Sequence, residues 1–158
     1  MKQIVVISGK GGTGKTVITG AFAALAKNKV MADCDVDAAD LHLLLMPEIK
    51  ERYQFKSGKT AVINKGLCTE CGKCVDVCRF SAISKGFTVD PISCDGCGFC
   101  SRVCPAQAIK MEENISGEWF VSDTRFGPMV HARLGIAEEN SGKLVTLVRE
   151  EAKKLGES

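Results

Sequence analysis

The sequence predicts an α/β fold interrupted by a smaller α+β domain, and three observations predict it. An apolar segment, IVVI at 4–7, runs into a glycine-rich loop and then a helical pattern. Eight of the nine cysteines fall in two runs of identical spacing between residues 68 and 104. Past residue 112, strand and helix patterns resume. The 158 residues suffice for one domain or two small ones. Composition is ordinary for a globular chain, 45% hydrophobic and 25% charged, and a net charge of +2 gives no argument for nucleic acid or a membrane surface. No apolar run approaches the roughly 18 residues that a membrane span needs. The start, MKQIVVIS, has no cleavage-site pattern and reads as a strand, not a signal peptide, so the expected location is the cytoplasm.

The first element is the strand at 4–7. Gly9-Lys10-Gly11-Gly12-Thr13-Gly14-Lys15-Thr16 follows it and fits G-x-x-x-x-G-K-[ST]. Ile18, Ala21, Phe22, Leu25 and Ala26 then carry helical spacing. Successive backbone N–H groups in such a loop cradle phosphate oxygens, and the helix N-terminus adds its dipole. Lys15 is expected to reach the β- and γ-phosphates, and Thr16 to place its hydroxyl on Mg²⁺. The alternative is a glycine turn that binds nothing.

The first of the two lysines in this loop, Lys10, is not required by a phosphate loop. KGGTGKT resembles the deviant phosphate loop of the MinD/ParA superfamily of P-loop NTPases, which includes the nitrogenase iron protein and the Mrp-type iron–sulfur carriers. The resemblance implies that Lys10 reaches across an ATP-dependent homodimer to the partner's nucleotide, supplying a cation only after assembly. The bland reading of Lys10 is a solvated loop lysine. VMADCDVDAADLHLLL at 30–45 is a strand running into carboxylates, and it resembles the first switch of the same family. That match implies that Asp35 orients the attacking water and that Asp33 lies near the magnesium shell. Asp37 and Asp40 then belong to the moving loop, or simply cap a helix. Cys34 between the aspartates reads as a small buried strand residue. Val17 departs from the family, where a second hydroxyl residue is common.

The cysteine block comes next. Cys68-x-x-Cys71-x-x-Cys74-x-x-x-Cys78 is repeated as Cys94-x-x-Cys97-x-x-Cys100-x-x-x-Cys104, and Ala82-Ile83 recurs as Ala108-Ile109 in the same register. This is an internal repeat of two halves related by a pseudo-two-fold. Without a signal peptide, metal binding is the better reading than disulfides. Zinc sites usually pair two Cys-x-x-Cys units across a longer loop, which two identical fourfold runs do not match. A 4Fe–4S cube wants four thiolates, and three cysteines two residues apart wrap three corners of it. Residues 61–112 resemble bacterial two-cluster ferredoxins over the length of that domain, with AVIN at 61–64 as the first strand. In those ferredoxins the fourth cysteine starts a helix and serves the other cluster. The resemblance therefore assigns Cys68, Cys71, Cys74 and Cys104 to one cluster, and Cys94, Cys97, Cys100 and Cys78 to the other. Gly72, Gly96 and Gly98 let the backbone fold close about a cluster. Arg79 stands where the second run has Pro105; it either raises the potential of a nearby cluster or is a solvated helix residue.

After the block, GEWFVSDTRFGPMVHARLG reads as a hairpin turning near Gly127-Pro128. Asn140 or Ser141 caps a last helix with Leu144, Leu147, Val148, Glu151 and Leu155 on one mostly apolar face. REEAKK at 149–154 reads as a solvated surface, and His42 and His131 as packing or surface residues and not ligands.

Domain boundaries follow as 1–60 with 113–158 for the NTPase portion and 61–112 for the insert, with 49–60 a polar connector. The arrangement is similar to MinD-superfamily ATPases that carry an inserted ferredoxin domain. The family's Walker B strand, apolar and ending in Asp, is not found after residue 122, so the expectation is an N-terminal portion or a subunit completed by another chain. The expected cofactors are ATP, Mg²⁺ and two 4Fe–4S clusters. The expected function is nucleotide-gated electron transfer to an unknown redox partner, with ATP hydrolysis once the NTPase part is completed. The alternatives are cluster assembly and delivery of the Mrp type to an acceptor protein, a plain electron carrier with a non-catalytic nucleotide site, and, least suited to the insert, a ParA-type spatial organiser.

Overall fold

A computed structural model describes residues 2–9, 12–135 and 141–157. The described elements are α1 (Lys15–Leu25), β1 (Met31–Asp33), α2 (Leu41–Leu45), β2 (Glu48–Ile63), α3 (Lys73–Asp76), α4 (Phe99–Val103), β3 (Ile109–Thr124), β4 (Gly127–Leu134) and α5 (Ser141–Glu157). The strands form one mixed sheet in the order β1-β4-β3-β2. The chain divides into two compact units, Met1–Phe55 with Gly117–Ser158, and Lys56–Ser116.

In the first unit β1 runs parallel to β4, pairing Met31 with Met129 and Asp33 with His131. β3 and β4 form the expected hairpin, with Val121 opposite Val130. Its turn is fixed by the Thr124 hydroxyl, which donates to the Gly127 carbonyl at 2.8 Å and accepts from the Phe126 N–H at 3.0 Å. α5 lays Leu144, Val148 and Ala152 against Val130, Ala132, Val36 and Phe55, with Leu147 and Leu155 packed at the margin. This is the expected apolar face, one residue type apart: Glu151 stays half-buried while Ala152 goes in. Arg149, Glu150, Lys153 and Lys154 are exposed. Asn140, one of the two proposed caps, lies outside the described residues; the helix begins at Ser141. On the other side of β1 and β4 a smaller cluster joins Ala23, Met31, Leu41, Leu45 and Met129.

Three expectations are corrected here. Residues 4–7 are not a strand: 2–8 have no regular structure, and Ile4 and Ile7 are 75% and 84% exposed. Among the described residues no strand pairs with this apolar segment. The stripe expected on α1 is also exposed at Ile18, Ala21, Phe22, Leu25 and Ala26; the helix instead buries Gly20 and Ala23. Gly20 is needed there, because a Cβ would stand 2.3 Å from the Leu44 side chain of α2. Finally, 49–60 is no connector but most of β2. Its hold is long-range: Tyr53 stacks on Trp119 with centroids 4.2 Å apart, Arg52 meets Glu118 at 3.8 Å, and Phe55 is buried.

The second unit has its own core of Ala61, Cys74, Ile83, Cys100 and Ile109, with Ile63, Phe87 and Met111 against it. α3 and α4 occupy corresponding places in the two repeats, each beginning one residue after a glycine (Gly72 and Gly98). The fourth cysteine of each run does not start a helix. Cys104 is the C-cap of α4, in extended backbone, and Cys78 lies two residues past the end of α3. Each short helix therefore joins the third and fourth cysteines, and Arg79 and Pro105 sit in exposed turns after it.

Candidate functional sites in the two units

The phosphate loop is described at Gly9 and from Gly12 to Thr16; Lys10 and Gly11 lie outside the described residues. Gly14 has φ 85 and is the N-cap of α1, a left-handed conformation that a side chain would strain. It turns the chain so that the first N–H groups of α1 face outward from the helix end. Lys15 opens the helix, and Thr16 stands half-buried beside it. The Lys15 ammonium meets Asp35 Oδ2 at 2.6 Å, both side chains being about one-third exposed. The hydrogen bond to Asp35, reinforced by the charges of Asp35 and Asp33, holds this ammonium above its ordinary pKa despite partial burial.

Asp33 ends β1, with only 7% of its surface exposed. Its Oδ1 accepts the Asp35 N–H at 3.1 Å and its Oδ2 accepts the Leu41 N–H at 3.3 Å. Burial pushes its carboxyl pKa up, and the two backbone donors oppose that. So Asp33 caps the start of α2 from outside the helix. Asp40 occupies the N-cap position but makes no side-chain cap, and the capping reading of it fails. Sequence reasoning missed this clasp, because no local spacing links Asp33 to Leu41. Asp37 is exposed. Cys34 is exposed too, not buried, because it points away from the alternating pattern that buries Met31 and Asp33. Val17 is 68% exposed, so the loop loses no core contact by its departure from a hydroxyl residue. His131 is a core residue, its Nε2 3.0 Å from the Ser122 hydroxyl and its ring stacked on Phe120, with burial lowering its pKa to about 4.

In the second unit the cysteines surround two cavities. Cys68, Cys71, Cys74 and Cys104 border one. Cys78, Cys94, Cys97 and Cys100 border the other. Each group takes its fourth cysteine from the other repeat. Among the described residues no three His, Cys, Asp or Glu side chains converge on the position of one ion. Four thiols spread around a cavity suit the corners of a cube better than a single tetrahedral metal. Cys74 and Cys100, the third of each run, are buried, and burial pushes both thiols above their usual pKa. A thiolate at such a buried position needs compensating positive charge, which a bound metal centre would supply. Cys71 and Cys97 are exposed, so each cavity meets solvent at the same point of the repeat. The Ala108 N–H donates to Cys104 Sγ at 3.4 Å, the kind of contact that tunes a bound cluster. Gly96 holds the second loop close to its neighbour: at φ 70, a Cβ would stand 2.3 Å from the Lys59 carbonyl oxygen.

These features agree with comparison to known proteins. The model of the "CobQ/CobB/MinD/ParA nucleotide binding domain" matches residues 4–157. The chain belongs to this family. Within the family it resembles the uncharacterized protein MJ0578 of Methanocaldococcus jannaschii, 37% identical over 158 residues that cover 96% of this chain and 55% of the relative. The chain thus spans about half the length of that protein. A further set of matches covers about one-third of the chain. Pyruvate synthase subunit PorD of Methanothermobacter marburgensis is 40% identical over 50 residues, 32% of this chain and 62% of that protein. Ferredoxin 7Fe of Hydrogenibacillus schlegelii is 39% identical over 54 residues, 32% of this chain and 69% of that protein. No solved structure gives a significant match. The MinD/ParA domain of this chain therefore carries an inserted ferredoxin-like domain, and it combines nucleotide-binding and iron–sulfur features. No described helix is long and apolar enough to cross a membrane.

Proposed function

We propose that this chain is the nucleotide-binding part of an ATP-dependent iron–sulfur electron carrier. The observation that supports this most is the sorting of eight cysteines into two four-thiol cavities. Such a full set of ligands suits two 4Fe–4S clusters held permanently, with Cys71 and Cys97 marking the solvent-facing edges where electrons enter or leave. A group built to hand its cluster over would use fewer and more exposed thiols. The likeness to ferredoxins and to a pyruvate synthase subunit supports a redox enzyme as the partner class.

In this reading the phosphates of ATP lie against Gly12–Thr16 and the N-terminus of α1. Lys15 meets the β- and γ-phosphates, Thr16 holds Mg²⁺, and Asp35 orients water for hydrolysis. Lys10 acts across an ATP-dependent homodimer. ATP hydrolysis follows once a further segment or a partner chain completes the nucleotide-binding part. When bound, the clusters supply one-electron chemistry at low potential; the protein supplies thiolates, burial and N–H donors around them.

The test is an anaerobic potentiometric EPR titration of the cluster-loaded protein, with and without MgATP, beside Lys15→Ala. A nucleotide-dependent shift in midpoint potential or line shape, absent in Lys15→Ala, is the expected result. Unchanged MgATP affinity in Lys15→Ala refutes the phosphate-loop assignment. Binding without any spectroscopic change refutes gating and leaves an iron–sulfur carrier whose nucleotide site acts elsewhere.

A further inference from the structure

We propose that Lys73 sets the two four-cysteine sites of the second unit apart in reduction potential, so that the set of Cys68, Cys71, Cys74 and Cys104 takes the first electron. The proposal rests on the two-cluster reading above and adds where the electron of the half-reduced protein resides.

The internal repeat supplies the comparison. Lys73 and Phe99 each stand just before the third cysteine of a run. Lys73 follows Gly72 and opens α3, and Phe99 follows Gly98 and opens α4. Each borders the cavity of its own run. Among the described residues Lys73 is the one charged side chain, thiols aside, on the border of either cavity. Reduction adds one negative charge to whatever the thiolates hold. A cation beside it favours the reduced form. The half-exposed ring of Phe99 brings no charge and keeps water off, which disfavours the reduced form.

The approach to each run differs in the same sense. Three residues before the first cysteine stands Lys65 in one repeat and Pro91 in the other. Lys65 donates to the Gly86 carbonyl, and its ammonium lies 5.8 Å from the centre of the Phe87 ring, which borders the first cavity. One residue earlier, Asn64 is neutral and Asp90 is a carboxylate. Both make the same turn, Asn64 accepting the Gly66 N–H at 2.9 Å and Asp90 the Ile92 N–H at 3.1 Å. The turn is kept while its charge changes.

The other charges within the two runs do not reverse this. Each cysteine loop carries one carboxylate, Glu70 or Asp95. Asp76 and Arg102 each stand midway between a cysteine of one set and a cysteine of the other, so they bear on both sets alike. Arg79 beside Cys78 opposes Lys73, but it sits in an exposed turn and borders neither cavity. The half-reduced protein forms by transfer of one electron from a low-potential one-electron reductant, with no bond made or broken.

The experiment is an anaerobic potentiometric EPR titration of the full chain, loaded with iron and sulfide and reduced with titanium(III). Signals are assigned by which one changes in Cys71→Ser and which in Cys97→Ser. The signal of the Cys71 set is expected at the higher potential. Lys73→Gln should lower that potential alone, by about two- to fivefold in the ratio of reduced to oxidised form, the scale of a partly screened surface charge, or about 18–41 mV for one electron. Phe99→Lys should raise the other potential by a similar factor, and both shifts should shrink as salt is added. Equal potentials in the wild type, a higher potential at the Cys97 set, or an unmoved signal in Lys73→Gln overturns the proposal. A loaded Phe99→Lys chain with neither potential raised overturns it too. A chain that takes up no iron and sulfide refutes the two-cluster reading and carries the proposal down with it; two clusters that bind but respond to neither variant sink the proposal alone.

Discussion

Replacing Gly96 by Ala separates two effects that usually arrive together, backbone strain and steric exclusion. Gly96 lies in the loop between Cys94 and Cys97 with φ 70. A left-handed residue with a side chain costs roughly 1–2 kcal/mol. That alone is tolerable here, since Glu70 occupies the matching place in the first repeat at φ 54. What differs is the neighbour. A Cβ on Gly96 would stand 2.3 Å from the Lys59 carbonyl oxygen and 3.3 Å from its carbon. Ordinary contact needs roughly 1 Å more, and dispersion turns to steep repulsion inside it. The obstacle is backbone of β2, so the cysteine loop must yield, and a shift of that size displaces Cys94 and Cys97 from their cavity. Gly98→Ala is the control: φ is 71, yet the nearest atom stands 3.9 Å away. The expected outcome for Gly96→Ala is loss of about half the bound iron and of one EPR signal, with MgATP binding intact. Gly98→Ala should keep both signals and lose about 1 kcal/mol of stability. If Gly96→Ala retains full iron and both signals, steric exclusion at Lys59 is not what shapes this loop and the argument is wrong.

Cys104→Ser should damage the cluster built on Cys68, Cys71 and Cys74, read as the EPR signal that disappears relative to Cys78→Ser; loss of the same signal in both variants refutes crossed ligation. His131 gives a pH dependence. Its folded pKa of about 4 lies below the ordinary 6.5 because it is buried, so the unfolded chain takes up a proton first as acid is added. Stability it contributes is complete above pH 6.5 and is lost as the pH falls toward 4, by on the order of 3 kcal/mol. His131→Gln, which keeps a polar partner for Ser122, should flatten that decline in urea titrations of the NTPase unit between pH 6.5 and 4; an equally steep decline assigns it to other groups.

The two motifs were legible because each is local. Three thiols of each set come in short steps along the chain, and a phosphate nest comes as consecutive residues, so spacing carries both motifs. The hairpin and α5 were legible for the same reason: their turn residues and apolar stripe lie within a dozen positions or so. What escaped is held by partners far along the chain. β2 looks like a polar connector because its outward side chains are charged, and Tyr53 becomes strand-like only once Trp119 lies against it. The Asp33 clasp escaped likewise. The cap of α2 comes from a strand end eight residues earlier, while Asp40, standing where a cap belongs, makes none. The helices of the cysteine repeat were expected one element late, since Pro105 follows a helix as readily as it opens one.

The failure at α1 has a different cause. Its stripe is a sound helical pattern, and the helix is there, yet Phe22 and Leu25 face solvent together with Ile4, Val5, Ile7, Leu43 and Met46. Periodicity states that a surface is meant to be covered; it does not state by which residues. The helix packs on α2 through its smallest side chains, Gly20 and Ala23, which leaves the large ones unspent. Residues 4–7 fail to become a strand for a matching reason: a parallel strand is stable only with neighbours and with both faces covered. Among the described residues no strand pairs with 4–7, so that condition is unmet. Both departures therefore leave large apolar side chains of the nucleotide-binding unit uncovered among the described residues. A segment that adds a strand at 4–7 and lays a helix over Phe22 and Leu25 would cure both at once.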